Sequence, residues 1–143
     1  MKTNLFFKTI TAIAIMTFIF TACKKDNLKD CNEHTVSACS EDPSKTNLRI
    51  TNNSKYDFCN VVVNPSSGQF NCGIIKEGEA TCYRSFDTVY NYAYIRLYIG
   101  DKEFTLQPID YVGEPTLGTG KFTYLLDIPD FNTGQISIKV QKD

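Results

Sequence analysis

The sequence lacks an excess of basic charge, an apolar run long enough to cross a membrane, and any catalytic motif. Its 15 Lys and Arg stand against 16 Asp and Glu. It therefore has no surplus charge to neutralise a run of phosphates, and we expect no nucleic-acid partner. No apolar run reaches the roughly 18 residues that a spanning helix needs. A chain of 143 residues with 42% apolar content is typical of one folded domain.

Histidine is almost absent, because His34 is the only one in the chain. A zinc site needs four converging ligands at short spacings, and the cysteines after residue 23 are separated by 7, 19, 12 and 9 residues. A nucleophilic cysteine also needs a base, which the sequence does not place in the folded part. We therefore expect that the protein binds no metal and no cofactor, and that it is not an enzyme that uses zinc or a nucleophilic cysteine.

The first 22 residues carry Lys2 and Lys8 and then a mostly apolar stretch, which is typical of a secretory signal peptide. The stretch ends in Phe20-Thr21-Ala22-Cys23, which resembles the lipobox of bacterial lipoproteins. The resemblance implies that Cys23 becomes the acylated first residue of an exported, membrane-anchored lipoprotein, with the outer membrane as the expected address. The resemblance does not decide between the periplasmic side and the cell-surface side of that membrane. The alternative is ordinary cleavage nearby, with Cys23 left for a disulfide.

The segment from residue 24 to residue 46 shows neither strand nor helix periodicity and little to bury, which indicates a flexible tether after Cys23. As a flexible coil it would hold the domain of residues 47–143 about 25–30 Å from the lipid. Its Cys31 and Cys39 are close enough to form a disulfide with each other in an oxidising compartment.

Five cysteines remain once Cys23 is acylated, and an odd number cannot all pair within one chain. One of them should be free or paired with another molecule. A turn between two short strands favours a disulfide between Cys72 and Cys82, with Cys59 as the competing partner for either.

Residues 47–143 alternate short apolar-polar runs with turn residues, which predicts an all-β, two-sheet antiparallel sandwich. The eight predicted strands are residues 48–52, 56–63, 69–75, 81–86, 89–99, 103–107, 121–128 and 135–141. Gly100-Asp101 fits a two-residue turn, so Ile99 should pair with Lys102. In every cross-strand pair of this hairpin the two residue numbers should then add up to 201.

The runs from Asn47 to Val63 and from Phe104 to Glu114 resemble small, uncharacterised lipoproteins of Bacteroidota that have an immunoglobulin-like or transthyretin-like sandwich. The resemblance implies a fold and an envelope address, with no assigned activity. Asp87-Thr88-Val89 also matches the short motif at which Bacteroidota O-glycosylate exported proteins, which makes Thr88 a candidate modification site.

One face of the strand from Val89 to Ile99 carries a tyrosine stripe, formed by Tyr90, Tyr92, Tyr94, Arg96 and Tyr98. Tyrosine and arginine are enriched at binding hot spots, so the stripe is a candidate recognition surface. The competing interpretation is ordinary strand packing beneath neighbouring side chains.

We expect a non-catalytic binding or accessory module whose partner is an envelope protein or a glycan. The long connection after Gln107 carries Asp110, Tyr111 and Glu114, which could reach a ligand. One alternative is an envelope hydrolase that uses the carboxylates of Asp110 and Glu114. A third class is a purely structural envelope protein.

The lipobox predicts that radiolabelled palmitate follows the protein and that the Cys23→Ala variant loses both the label and its membrane attachment. The physical reason is that acyl chains on Cys23 would supply the apolar area that holds the chain on a bilayer. A Cys23→Ala protein that is labelled and membrane-bound like the parent would contradict this assignment.

Overall fold

The structure is a computed structural model that describes Cys31, residues 35–66 and residues 68–143. The predicted signal peptide, Cys23 and His34 lie outside the described residues. The described residues form eight strands: β1 (Thr46–Asn52), β2 (Phe58–Ser66), β3 (Phe70–Ile75), β4 (Arg84–Phe86), β5 (Val89–Ile99), β6 (Lys102–Leu106), β7 (Gly120–Asp127) and β8 (Ser137–Lys142). In the described part of the chain, no helix is long and apolar enough to cross a membrane.

The strands form two sheets of four, in the orders β4-β1-β7-β8 and β3-β2-β5-β6, which confirms the predicted all-β sandwich. One pair departs from the antiparallel expectation, because β1 runs parallel to β7. The other strand pairs are antiparallel. The parallel pair arises because β1 and β7 are distant in sequence, so no tight turn dictates their direction.

The β5–β6 hairpin has the predicted register, with Ile99 opposite Lys102 and Leu97 opposite Phe104. Gly100 at the turn has a φ of 58°, a conformation that glycine adopts without a Cβ clash. Leu97 and Phe104 are buried in the core between the sheets. Turn chemistry and the apolar alternation therefore agree, because a slip of one residue would expose this set.

The core is formed by the inward-facing apolar residues of both sheets, and it includes Tyr124, Leu126 and Ile128 of the predicted seventh strand and its end. Tyr124 is fully buried, and its hydroxyl donates a hydrogen bond to the carbonyl oxygen of Tyr90 in the opposite sheet. This bond joins the two layers directly at the beginning of β5.

The predicted flexible tether is wrong from residue 35 onward, because this segment lies along the sandwich. We call Cys31 and residues 35–45 the N-terminal strap. The Ser37 amide donates to the Asn71 carbonyl at 2.9 Å on β3, and the Ser40 amide donates to the Tyr83 carbonyl at 3.0 Å just before β4. Backbone pairing with two sheet edges therefore replaces the apolar burial that the segment lacks.

Gly73 shows how closely the strap approaches β3. Its φ is +69°, and a Cβ added there would lie 2.7 Å from Cγ2 of Val36. A side chain at this position would be strained by the backbone conformation and would collide with the strap.

Two disulfides fasten the strap, one between Cys31 and Cys59 and one between Cys39 and Cys82. Both predicted pairings, Cys31 with Cys39 and Cys72 with Cys82, are therefore wrong. The first pairing fails because the strap lies along the sandwich, where Cys31 reaches Cys59 of β2. The second fails for a topological reason. The chain between β3 and β4 crosses from one sheet to the other and does not form a hairpin, so the residue at position 82 meets the strap.

Among the described cysteines, Cys72 is free, as one cysteine of an odd set must be. Its side chain lies in the core between the sheets and is 6% exposed. Burial raises the pKa of its thiol to about 12, against a smaller opposing effect of the nearby Arg84 charge. The thiol is therefore protonated at neutral pH and poorly nucleophilic.

Candidate recognition site

The outer face of β5 carries the predicted tyrosine stripe, and the structure divides this stripe into parts with different surroundings. Tyr98 lies near the end of β5 and is buried, and its hydroxyl donates a hydrogen bond to Glu103 of β6. Tyr98 is therefore a packing residue, and including it in an accessible binding face was wrong. The other members of the stripe are half-buried.

Arg96 lies in the middle of the stripe, between Val62 of β2 and Thr105 of β6. Its Nε is buried without a hydrogen-bond partner. Val62 on the same outer face is only 2% exposed, so this part of the face is already covered by neighbouring side chains. The middle of the stripe consequently offers little free surface to a partner.

Tyr90 and Tyr92 at the beginning of β5 are covered by a third tyrosine from the connection between β6 and β7. The ring of Tyr111 stacks on Tyr90 at a centroid distance of 4.5 Å and on Tyr92 at 5.5 Å, with interplanar angles of 19° and 11°. We call these three residues the tyrosine stack. Stacked aromatic pairs contribute about 0.5–1.5 kcal/mol each beyond area burial.

Hydrogen bonds hold the connection against the stack. The hydroxyl of Tyr92 donates to the carbonyl oxygen of Asp110 at 3.0 Å, and the Leu117 amide donates to the Val89 carbonyl at 2.8 Å. Thr116 forms an isolated antiparallel bridge with Tyr90. The connection is therefore pinned on both sides of its tip.

The tip itself is an ordered turn. The Asp110 carboxylate accepts a hydrogen bond from the Val112 amide at 3.1 Å, and the Glu114 amide donates to the Tyr111 carbonyl at 3.2 Å. This turn directs two apolar side chains into solvent, since Ile109 is 101% exposed and Val112 is 88% exposed. We call Ile109 and Val112 the apolar tip.

The hydroxyls of Tyr92 and Tyr111 stay neutral at physiological pH, because the pKa of each is raised. Loss of solvation raises the pKa of Tyr92, and the nearby Glu114 carboxylate acts in the same direction. Loss of solvation likewise raises the pKa of Tyr111. Tyr92 and Tyr111 consequently offer neutral hydrogen-bonding hydroxyls, and the acidic side chains of the tip, Asp110 and Glu114, are exposed.

The candidate modification site Thr88 lies between β4 and β5 and is half-buried. Its carbonyl oxygen accepts a hydrogen bond from the Ser66 hydroxyl at 2.8 Å. It lines a cleft of about 280 Å³ together with Ser44, Lys45, Thr116 and Thr119. The cleft is rich in hydroxyls, and its cation, Lys45, is paired with Asp87 at 3.0 Å.

Sequence reasoning named Asp110, Tyr111 and Glu114 as ligand-reaching residues and missed the apolar tip. The detectable signal was an isoleucine and a valine three residues apart in a connection otherwise rich in turn residues. Across residues 35–66 and 68–143 together with Cys31, no three His, Cys, Asp or Glu side chains converge closely enough to hold a metal ion.

No protein-family profile matches the chain, and no curated protein sequence matches it either.

We expect Tyr111→Ala to loosen the tip by about 1–3 kcal/mol of local opening free energy, because it removes two stacked ring contacts. Tyr111→Phe keeps the ring and should cost less than half as much. Amide hydrogen exchange at Leu117, which is bonded to Val89, measures the opening. Equal exchange rates in the Ala and Phe variants would show that stacking does not hold the tip.

Proposed function

We propose that this protein is a lipid-anchored lipoprotein of the bacterial cell envelope that acts as a non-catalytic recognition module and binds a partner protein through its apolar tip. The observation that carries the proposal is that Ile109 and Val112 are almost fully exposed on an ordered, pinned turn. Exposing large aliphatic side chains on a rigid turn is unfavourable in water, and such groups are typical of interaction sites.

The tip has the composition of a binding hot spot, with aliphatic anchors supported by tyrosines that lose little conformational entropy on binding. The stack favours a protein partner over a glycan. Ring faces are the surfaces on which a sugar would lie, and Tyr111 already covers Tyr90 and Tyr92. The groups left exposed at the tip are the aliphatic side chains, which suit an apolar pocket on a protein.

The two ends of β5 support a definite orientation. Tyr98 pairs with Cys59, which forms a disulfide with Cys31, so Cys31 is fastened at one end of the strand. Tyr90 and the stack lie at the other end. Eight residues along a strand span about 26 Å. The tip therefore projects from the end of the sandwich opposite the attachment of Cys31.

The proposed anchor at Cys23 would lie near the end of the sandwich to which Cys31 is attached. The eight residue steps from Cys23 to Cys31 reach at most about 29 Å when fully extended. A lipid at Cys23 would accordingly hold the Cys31 end within about 29 Å of the bilayer, and the tip would lie at the end of the sandwich that is farther from the anchor along the chain. This arrangement supports a protein partner for the apolar tip.

The two loop carboxylates favour binding over hydrolysis. The carboxylate of Asp110 accepts the Val112 amide bond that shapes the turn, and both Asp110 and Glu114 are exposed to water. General acid catalysis by a carboxyl group is favoured in a buried site that excludes water. A tip that holds its carboxylates in water is better suited to contact than to proton transfer.

A photo-reactive benzophenone amino acid at position 112 of the full chain, irradiated in the producing cells, tests the proposal. We expect a discrete protein adduct of higher mass that disappears when Ile109→Asp is added, because the charge removes an apolar anchor. Ile74, which is 45% exposed, provides the matched control position on β3, and it should give no such adduct.

Three outcomes would overturn the proposal. The first is the absence of any discrete adduct from position 112, and the second is the same adduct from positions 74 and 112. The third is cross-linking of position 112 to lipid, which would place the tip in the membrane.

A further inference from the structure

The N-terminal strap covers one side of the sandwich and leaves the opposite side open. On the covered side the strap pairs with β3 through Ser37 and with the chain entering β4 through Ser40. On the opposite side the sheets end at β6 and β8, and no described segment pairs with the outer edge of either strand. An extended segment of the chain therefore pairs with the sandwich edges on one side. On the other side the outer edges of β6 and β8 have no described segment paired with them.

The register of β8 identifies which backbone groups face outward. The amide of Asp143 bonds to the carbonyl of Lys121, and the pairing continues as Thr123 with Gln141 and Leu125 with Lys139. Hydrogen-bonded pairs alternate along an antiparallel ladder, so residues 137, 139 and 141 bond to β7. The amides and carbonyls of Ile138, Val140 and Lys142 therefore point toward the open edge.

A cleft of about 600 Å³ adjoins this edge. Its walls are the end of β6, at Thr105 and Leu106, and the beginning of β8 with the residues before it, including Ile136. Lys102 bridges one end of the gap, because its ammonium donates to the Asn132 carbonyl at 3.2 Å and also to the Phe131 carbonyl. The edge thus combines unpaired backbone groups with a partly apolar recess for side chains.

The lysines of β8 indicate which kind of segment would bind at this edge. Lys139 and Lys142 are exposed and form no ion pair among the described residues, whereas Lys45 and Lys121 form ion pairs of 3.0 Å and 2.6 Å. Lys139 lies on the outer face of β8, whereas Lys142 lies on the other face, with its ammonium 5.8 Å from the ring centre of Phe122. Lysines on an edge strand disfavour pairing between two copies of the same edge, because like charges would face each other. The same lysines attract an extended segment that carries acidic residues.

We propose that the β8 edge binds an extended, acidic peptide segment of a partner protein, which adds as a fifth strand to the β4-β1-β7-β8 sheet. Backbone hydrogen bonds to Ile138, Val140 and Lys142 hold the strand, and Lys139 on the outer face of β8 binds its carboxylates. This site shares no residue with the apolar tip, so it stands independently of the function proposed above.

The probe is a synthetic peptide of alternating Glu and Val, titrated into the full chain at low salt. We expect exchange of the Ile138 and Val140 amides to slow by about tenfold or more at saturation, because both become hydrogen-bonded. Two control peptides separate the contributions of backbone and charge. One carries N-methyl groups at alternate residues and cannot donate on one edge, and the other has Lys in place of Glu.

The matched variants are Lys139→Glu on the edge and Lys76→Glu in the turn after β3, both of them exposed. Lys139→Glu should weaken binding of the Glu-Val peptide by about threefold to tenfold, and Lys76→Glu should leave it unchanged. Equal binding of the N-methylated or Lys peptide, or unchanged exchange at both amides, would overturn the proposal. Concentration-dependent protection without peptide would assign the edge to a second copy and would overturn it too.

Discussion

A buried arginine and two disulfides fix the N-terminal strap on the sandwich, and the arrangement of covered and open surfaces depends on this attachment. Arg84 is 4% exposed, and its guanidinium donates to the Ser37 carbonyl at 2.6 Å and 3.2 Å and lies over the ring of Phe70. No carboxylate among the described residues pairs with it. A buried cation without such bonds would cost several kcal/mol, so Arg84 and the strap stabilise each other.

The strap gives the domain an asymmetry that a simple sandwich lacks. One side is closed by extended chain and by the disulfides from Cys31 and Cys39, so two of the four sheet edges are protected from pairing with other molecules. The other side keeps its edges, and the far end of β5 carries the tyrosine stack and the apolar tip. A partner would therefore find free surface at the β6 and β8 edges and at the end of β5 remote from Cys31.

The sequence pattern predicted those parts of the fold that depend on residues close together in the chain. The β5–β6 hairpin followed from Gly100 and the alternation of apolar residues, because turn geometry and burial constrain the same register. The disulfides did not follow, since pairing depends on which sheet each strand joins, and β3 and β4 join different sheets. Sequence spacing carries no information on that choice.

The strap and the tip escaped prediction for related reasons. Residues 35–45 have few apolar groups, so composition indicated a tether, yet backbone bonds to β3 and to the residue before β4 hold them in place. Likewise, alternation placed Tyr90 and Tyr98 on one face, but only the tertiary fold decides that Tyr111 covers the first and that the second is buried. Periodicity reports the face of a strand, and it does not report what covers that face.

Peptide mapping of the protein under non-reducing conditions, after alkylation in the folded state, tests the strap most directly. The account predicts bonds between Cys31 and Cys59 and between Cys39 and Cys82, with Cys72 unbonded and alkylated only after unfolding because its thiol is buried and protonated. A bond between Cys31 and Cys39, or one between Cys72 and Cys82, would contradict it, because the strap would then not be fastened covalently to the sandwich.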